Sequence, residues 1–470
     1  VSTNDLYQIQ TLTPSAILPG YRELLLPKDA GYRSKTVILS SHLGKSAIPP
    51  AAWLDRLRWI VEESRRQDHL LLNARGVSVY RFLQGVGTLA AADVLEIHLP
   101  HGRSDERHWR RETQRRRKHS ADASSNDSAH DAFLSPPLSL PASPTPAGRC
   151  QVDRRFAILP EPQSSRFTEL PYADRALLLL ADIVYVLAVR VGGKIHQLLD
   201  LVFSQNIFRG CRVMLAQGQD AVPDSLAQNW FSQGAIGWYL LGAGKGEPGP
   251  PAKDLAWCCD QAGAPANLRT WMPSIPLPND PTRYLFHWTR CQPGPWPDQT
   301  NAEFVRDLLW CPERRDHSAA AALRRILTRH RVVATSRLLP TSTPAVCFTA
   351  RPLDDFTSAR VFRPHQQRWD FEHYGIGVDR QWLSRQGARA VRYVDRGNQS
   401  DLEFAGPFDQ PAVSRYGSVD WRAEQEWRLP GDLDLRRIPD RSAVVFVPDA
   451  REVARFARYS RWPIVAVDGS

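Results

Sequence analysis

The sequence predicts two folded regions of different class. One is an α/β, parallel-sheet, Rossmann-like domain over residues 30–242, and the other is an α+β domain over residues 281–468. Three observations carry this. Apolar strands alternate with helical patterns through the first region. Its residues 183–189 are an almost unbroken apolar run, as a strand buried on both faces requires. From about Pro281 the rhythm changes to short strands rich in aromatic residues. A chain of 470 residues is too long for one ordinary core, and 42% apolar residues suffice for more than one.

Residues 36–40 read as a strand that ends in a polar loop, 41–46. Residues 53–66 have helical spacing, with Trp53, Leu54, Leu57, Ile60 and Val61 on one face. A second strand, 69–72, runs into Asn73, Ala74, Arg75 and Gly76, and a third spans 94–99. Helix, strand and glycine turn then recur: 177–181 ends a helix, 183–189 is the buried strand, and Gly192-Gly193-Lys194 leads into a helix at 195–203. A strand at 212–216, a helix at 224–233 and a last strand at 235–241 complete the set. Strands separated by helices imply a parallel sheet. Residues 243–280, opening on a Gly/Pro-rich stretch, read as a linker.

Residues 102–165 interrupt the first domain and are expected to be a disordered insertion. Arg103, Arg107, Arg110, Arg111, Arg115, Arg116, Arg117 and Lys118 are followed by Ser/Asp/Asn and Pro/Ser tracts too poor in large apolar side chains to bury a core. Much of the net charge of +10 sits here. The basic segment 103–118 suits contact with DNA or RNA, and equally a solvated run. No stretch of about 18 apolar residues exists, so no membrane span is expected. Seven cysteines without a C-x-x-C pair, Cys258 and Cys259 being adjacent, speak against a disulfide framework or a zinc site. Reduced thiols and the absence of a basic-then-apolar leader predict a cytoplasmic location, and Val1 fits an unconventional start codon.

In open parallel sheets, ligands sit at the carboxyl ends of the strands, near the point where the strand order reverses. Ser40, Ser41, Lys45, Arg75, Gly76, Gly192, Gly193 and Lys194 all fall at predicted strand ends. Glycine permits close backbone approach, and a helix N-terminus beside a lysine favours phosphate. A nucleotide contacting Ser41, Gly76, Gly192, Gly193 and Lys194 is therefore expected. His196, in the following helix, reads as a cap or a solvated side chain. The order of helix, Ala-Asp, buried strand, Gly-Gly and helix resembles the SLOG superfamily, which includes the DNA-processing DprA proteins and the LOG nucleotide hydrolases. LOG enzymes carry a P-G-G-x-G-T-x-x-E loop. Residues 191–196 keep the glycines but lack the glutamate, so the resemblance implies ligand sensing rather than hydrolysis.

In the second region, Trp421-Arg422-Ala423-Glu424-Gln425-Glu426-Trp427-Arg428 is the unusual stretch. At strand spacing Glu424 and Glu426 share a face and Trp421 takes the other. Two like charges on a buried face are costly without partners, so the pair is either a salt-bridged exposed edge or part of a site. Upstream, residues 284–290 read as a strand with His287 and Thr289 on one face. A helix at 319–330 and strands near 332–336, 344–349, 375–378, 391–394 and 443–447 follow. The order of Phe286-His287-Trp288-Thr289, Ile326-Leu327, Val346-Cys347-Phe348-Thr349, Tyr374-Gly375 and Glu424-x-Glu426-Trp427-Arg428 resembles the ADP-ribosyltransferase fold, as in DarT-type toxins and abortive-infection proteins.

That resemblance implies an ADP-ribosyltransferase or NAD glycohydrolase with NAD as substrate. Glu426 would stabilise the oxocarbenium character that develops when nicotinamide leaves, and Glu424 would orient the acceptor. His287 and Thr289 would hold a ribose, Arg290 the pyrophosphate, and Tyr374 would stack on nicotinamide. The stretch 291–316 departs from the family by its length. Taken together, the two regions suggest a phage-defence or toxin-type effector in which a nucleotide sensor controls the second domain. The alternative is a non-catalytic nucleotide- or nucleic-acid-binding protein of the DNA-processing type. A nuclease using Glu424, Glu426, Asp370 and Asp420 fits less well, because no lysine follows the glutamates at metal-nuclease spacing.

Overall fold

The computed structural model describes residues 7–12, 22–27, 32–41, 48–99, 107, 111, 155–157, 169–207, 210–240, 283–336, 339, 342–353, 362–363, 368–369, 371–394, 406–413 and 420–467. The chain forms two compact units, one holding the described residues 49–240 and those before 42, the other residues 283–467.

In the first unit, β1 (Tyr7–Leu12) and β2 (Arg22–Pro27) form an antiparallel pair. The main sheet contains β3 (Lys35–Ser40), β4 (Leu70–Ala74), β5 (Val94–His98), β6 (Arg155–Ala157), β7 (Ile183–Ala188), β8 (Arg212–Ala216) and β9 (Ile236–Trp238). All seven run parallel, in the order β6-β5-β4-β3-β7-β8-β9. The helices are α1 (Ala51–Arg66), α2 (Tyr80–Thr88), α3 (Tyr172–Leu180), α4 (Lys194–Ser204) and α5 (Asp224–Phe231). Every residue of β4 and β7 is buried, which accounts for the apolar run 70–72 in β4 and the continuous apolar sequence of β7. The apolar stripe of α1 is buried as its spacing predicts, and Trp53 Nε1 donates to Ser40 Oγ at 3.0 Å, fixing the helix on β3. Buried Arg56 donates to the carbonyls of Gln217, Gln219 and Asp220 and so holds the loop after β8.

One expectation is corrected. Residues 155–157 lie inside the predicted disordered insertion, yet they form β6 and extend the sheet past β5. An edge strand needs only backbone pairing on one side, so three residues suffice and composition does not reveal them. The rest of 102–165 apart from 107 and 111, the linker 243–280 and Lys45 fall outside the described residues.

The second unit is α+β. Its strands are β10 (Tyr284–Trp288), β11 (Arg331–Val332), β12 (Ala345–Thr349), β13 (Phe362–Arg363), β14 (Arg368–Trp369), β15 (Gly375–Asp379), β16 (Arg389–Ala390), β17 (Arg392–Val394), β18 (Asp409–Pro411), β19 (Glu426–Pro430), β20 (Leu433–Asp434), β21 (Ala443–Val447) and β22 (Ile464–Ala466). Its helices are α6 (Asn301–Trp310), α7 (Ala319–Arg329), α8 (Arg380–Arg385) and α9 (Ala450–Phe456). The central sheet has the order β16-β19-β12-β10-β15-β21-β22, with only β21 and β22 parallel. One face packs Leu285, Val346, Phe348, Ile376 and Val445 against Leu323 and Leu327 of α7. The other gathers Tyr284, Phe286, Trp288, Val444 and Phe446. A side chain at Gly375 would collide with the His287 carbonyl and the Phe446 ring, which is why that strand opens on glycine. The long stretch after β10 contains α6, opened by a capping box in which Thr300 and Glu303 satisfy each other's backbone amides.

The central sheet is two leaves joined by little. β10 pairs with β15 over five residues and β12 with β19 over five, but β10 and β12 are paired only at Phe286↔Thr349.

Candidate functional site

In the α/β unit the strand order reverses at β3: the chain proceeds outward through β4, β5 and β6, then returns to lay β7 on the other side of β3. Ser41 ties these two carboxyl ends together. Its N–H donates to the Ala188 carbonyl at 2.8 Å, and its Oγ accepts the Arg190 N–H at 2.9 Å. On the β4 side, Ser78 Oγ donates to the Ser40 carbonyl at 2.5 Å, which brings the turn containing Gly76 to the same edge. Gly76 has φ +98, a left-handed conformation that a side chain disfavours.

The turn after β7 is held from several directions. Gly192 has φ +72, its N–H donates to His196 Nδ1 at 2.9 Å, and its carbonyl accepts from Gln197 Nε2 at 3.1 Å. The Gly193 N–H donates to the Arg190 carbonyl at 2.9 Å. Lys194 then begins α4, exposed to solvent. Ser41, Gly192, Gly193 and Lys194 are thus gathered at the carboxyl ends of β3 and β7, with Gly76 on the same edge of the sheet. The amides of Gly192 and Gly193 are already bonded within the protein. The amides left for a ligand are those of the first turn of α4, which have no acceptor within the helix.

Two features of this edge escape sequence reading. Asp174, in the first turn of α3, is 5% exposed, and burial pushes its carboxyl up to about 7 against a hydrogen bond from its own backbone that pulls it down. Asn73, at the end of β4, is 1% exposed; its Nδ2 donates to the Tyr80 carbonyl, while its Oδ1 meets no donor. An acid in a first helical turn reads simply as a partner of the helix dipole, so no sequence signal marks Asp174 as buried.

In the second unit, the expected pair on one strand face is not formed. Glu424 ends a 3-10 turn, Trp421–Glu424, and Gln425 takes a left-handed conformation with φ 45, so β19 begins only at Glu426. The left-handed residue breaks the two-residue alternation that would place Glu424 and Glu426 on one face. The Glu424 main-chain carbonyl accepts from Thr349 Oγ1 at 2.6 Å.

Glu426 is engaged by Arg428, two residues along the same face. Arg428 Nε and Nη2 each reach one carboxylate oxygen at 2.9 Å. Nη1 donates to the Pro407 and Asp409 carbonyls, and Nη2 also to Gln410 Oε1 at 2.6 Å. Burial alone would lower the Arg428 pKa; the hydrogen bonds and charge of Glu426 outweigh it and raise it. Beside them the Cys347 thiol is pushed up to about 12, by burial first and then by the Glu426 charge.

His287 is placed elsewhere. Phe286, Thr349 and Glu426 are cross-strand partners and share a face, so His287, one residue on from Phe286, faces the opposite side. Its Nδ1 lies 2.9 Å from the Cys347 carbonyl, across the gap where β10 and β12 no longer pair. A carbonyl only accepts, so Nδ1 carries the proton and Nε2 keeps a lone pair. Burial lowers the imidazole pKa to about 4; the Cys347 bond opposes the shift and the nearby Arg290 charge adds to it. Arg290 lies 5.8 Å from the Phe371 ring, and its buried Nε meets no acceptor. Thr289 is committed to structure, its Oγ1 lying 2.8 Å from the Ala319 carbonyl and 3.1 Å from that of Tyr374. The Tyr374 hydroxyl is raised to about 12 by burial and by Glu452 of α9, and its ring packs on Phe456. His287 and Arg290 therefore come together, while Glu426 and the Tyr374 hydroxyl have other partners. Among the described residues no group of three or more His, Cys, Asp or Glu is arranged to hold a metal ion, and no helix is long and apolar enough to cross a membrane. Asp370 of the nuclease reading lies outside the described residues.

No protein-family model and no curated protein matches the chain. Among solved structures it is similar to DNA processing protein A from Helicobacter pylori, in a structure concerned with that protein's single-stranded DNA binding mode. The match has 10% identity and a TM-score of 0.26, and covers 50% of this chain and 92% of that one.

Proposed function

We propose that this protein binds a phosphate-bearing ligand, a nucleotide or a single-stranded nucleic acid, at the carboxyl edge of β3 and β7, and that binding rather than catalysis is the role of the α/β unit. The observation that carries the reading is the reversal of strand order at β3, closed by Ser41 and opening onto the N-terminus of α4. Such a reversal leaves a crevice between the loops after the two strands. The first-turn amides of α4, with Lys194 beside them, supply donors and positive potential for an anion. The test is a titration of the full chain with a fluorescent ATP analogue and with a labelled twenty-nucleotide oligo(dT). Saturable binding of at least one probe is expected, weakening with salt as phosphate contacts do.

A second reading concerns NAD, and one observation favours it. His287 presents an unprotonated Nε2 and Arg290 an unpartnered Nε–H beside the gap between β10 and β12. A hydroxyl donor and a phosphate acceptor on one ligand would match them. Transfer chemistry through Glu426 is less well supported, because Arg428 already holds both oxygens of that carboxylate. The effector role suggested by the order of motifs depends on such chemistry. Release of nicotinamide from NAD by the purified protein would restore it, and a rate equal to that of buffer would end it.

A further inference from the structure

The side chain that holds the turn after β7 does not belong to the turn. His196 Nδ1 accepts the Gly192 N–H at 2.9 Å. His196 Nε2 lies 3.0 Å from Asp200 Oδ2, and Asp200 Oδ1 accepts from Trp230 Nε1 at 2.8 Å. Trp230 is fully buried on α5, and its ring meets that of His196 edge-on at 5.9 Å. A continuous hydrogen-bonded chain therefore runs from the core of the unit out to an exposed glycine turn. Its polarity is fixed: Nδ1 must hold a lone pair to accept from an amide, so Nε2 carries the proton given to Asp200.

From this geometry we propose that His196 is a positioning residue for the crevice, presetting the turn at residues 190–193 through Asp200 and Trp230. The inference rests on the ligand reading given above. With both backbone polar groups of Gly192 bonded to side chains of α4, and the Gly193 N–H bonded to Arg190, the turn forms a wall rather than a set of donors. What remains at the mouth is an amide cluster that only donates, which selects an acceptor-only group such as a phosphate monoester or diester over a hydroxyl or an ammonium. A wall fixed in advance spares the ligand the cost of ordering it. His196 stands at the third position of α4, where glutamate or glutamine ordinarily reaches back to an amide before the helix.

The test uses the full chain, with the fluorescent ATP analogue and oligo(dT) as probes and amide hydrogen exchange of the peptide spanning residues 189–196 as a readout independent of ligand. His196→Ala and Asp200→Leu should each weaken binding by about tenfold, the effect of losing one well-placed hydrogen bond, and should speed exchange in the free protein. His196→Gln should restore both, since its amide oxygen can accept from Gly192. Binding by His196→Ala equal to wild type, or failure of His196→Gln to restore it while the protein remains folded, overturns the proposal. If the wild type binds neither probe, the ligand reading itself falls. In that case unchanged exchange in His196→Ala would also show that His196 does not hold the turn.

Discussion

Arg428 holds Glu426 with a two-pronged bond and spends its remaining N–H groups on the segment 407–410, so that all five of its donors are used within the protein. The pair is nearly sealed from water, with side chains 1% and 13% exposed. Its geometry is that of a clamp joining β18 to β19. Removing one partner of a buried ion pair typically costs about 3–5 kcal/mol, because the other charge is left uncompensated. Arg428→Ala should therefore destabilise the second unit by that order in denaturant unfolding, and Glu426→Gln by somewhat less, since one neutral acceptor remains. Glu426→Gln with unchanged stability would show that the clamp does not matter.

A matching prediction concerns Glu424. With its carbonyl, rather than a strand-face carboxylate, bonded to Thr349, Glu424→Gln keeps that main-chain contact. Its unfolding free energy should fall by clearly less than that of Arg428→Ala, because Glu424 takes no part in the hydrogen bonds of Arg428. A loss comparable to that of Arg428→Ala would show that the carboxylate itself is part of the clamp.

The pH dependence of stability should carry two opposed limbs. His287 and His317 are both lowered to about 4, chiefly by burial, against an unfolded value near 6.5. Between those values the unfolded chain binds more protons, so stability is full above about 6.5 and is lost as pH falls towards 4. Each histidine contributes on the order of 3 kcal/mol to this limb. Asp174 acts the other way. Its folded value near 7 lies above the ordinary 3.8, so it costs stability as pH rises from about 4 to 7. Asp174→Asn should raise the melting temperature at pH 8 more than at pH 4; an equal effect at both would show that Asp174 is not buried in its charged form.

The sequence made the interior strands legible and the edges obscure. β4 and β7 are buried on both faces, so apolar runs announce them. β6 is three residues at an edge behind a Pro/Ser tract, and nothing in its composition marks it. α6 carries its own capping-box signature in Thr300 and Glu303, although the surrounding prolines disguise it as a loop. The site residues divide the same way. Ser41 and the Gly192-Gly193 turn follow from strand ends alone. The alliance of His196 with Trp230 joins two helices and cannot be read from local spacing. The left-handed Gln425, which nothing in the local spacing marks, interrupts the strand between Glu424 and Glu426.

Gly193 provides a steric test of the crevice. A Cβ there would sit 3.0 Å from the Arg190 carbonyl, tighter than ordinary contact, so the turn must shift to admit it. Gly193→Leu should leave the protein folded, with a loss of about 1–2 kcal/mol, and weaken ligand binding at least tenfold. Wild-type affinity in the folded variant would mean that the turn is not near the ligand.

Photocrosslinking would show whether the α/β unit holds a phosphate-bearing ligand at the carboxyl edge of β3 and β7. The full chain would be irradiated with 8-azido-ATP and, separately, with an oligo(dT) carrying 4-thiothymidine, and the adducts mapped by mass spectrometry. Adducts are expected in peptides containing Ser41 or residues 189–196, suppressed by excess unlabelled ligand. Adducts confined to residues 283–467, or insensitive to competitor, would contradict it.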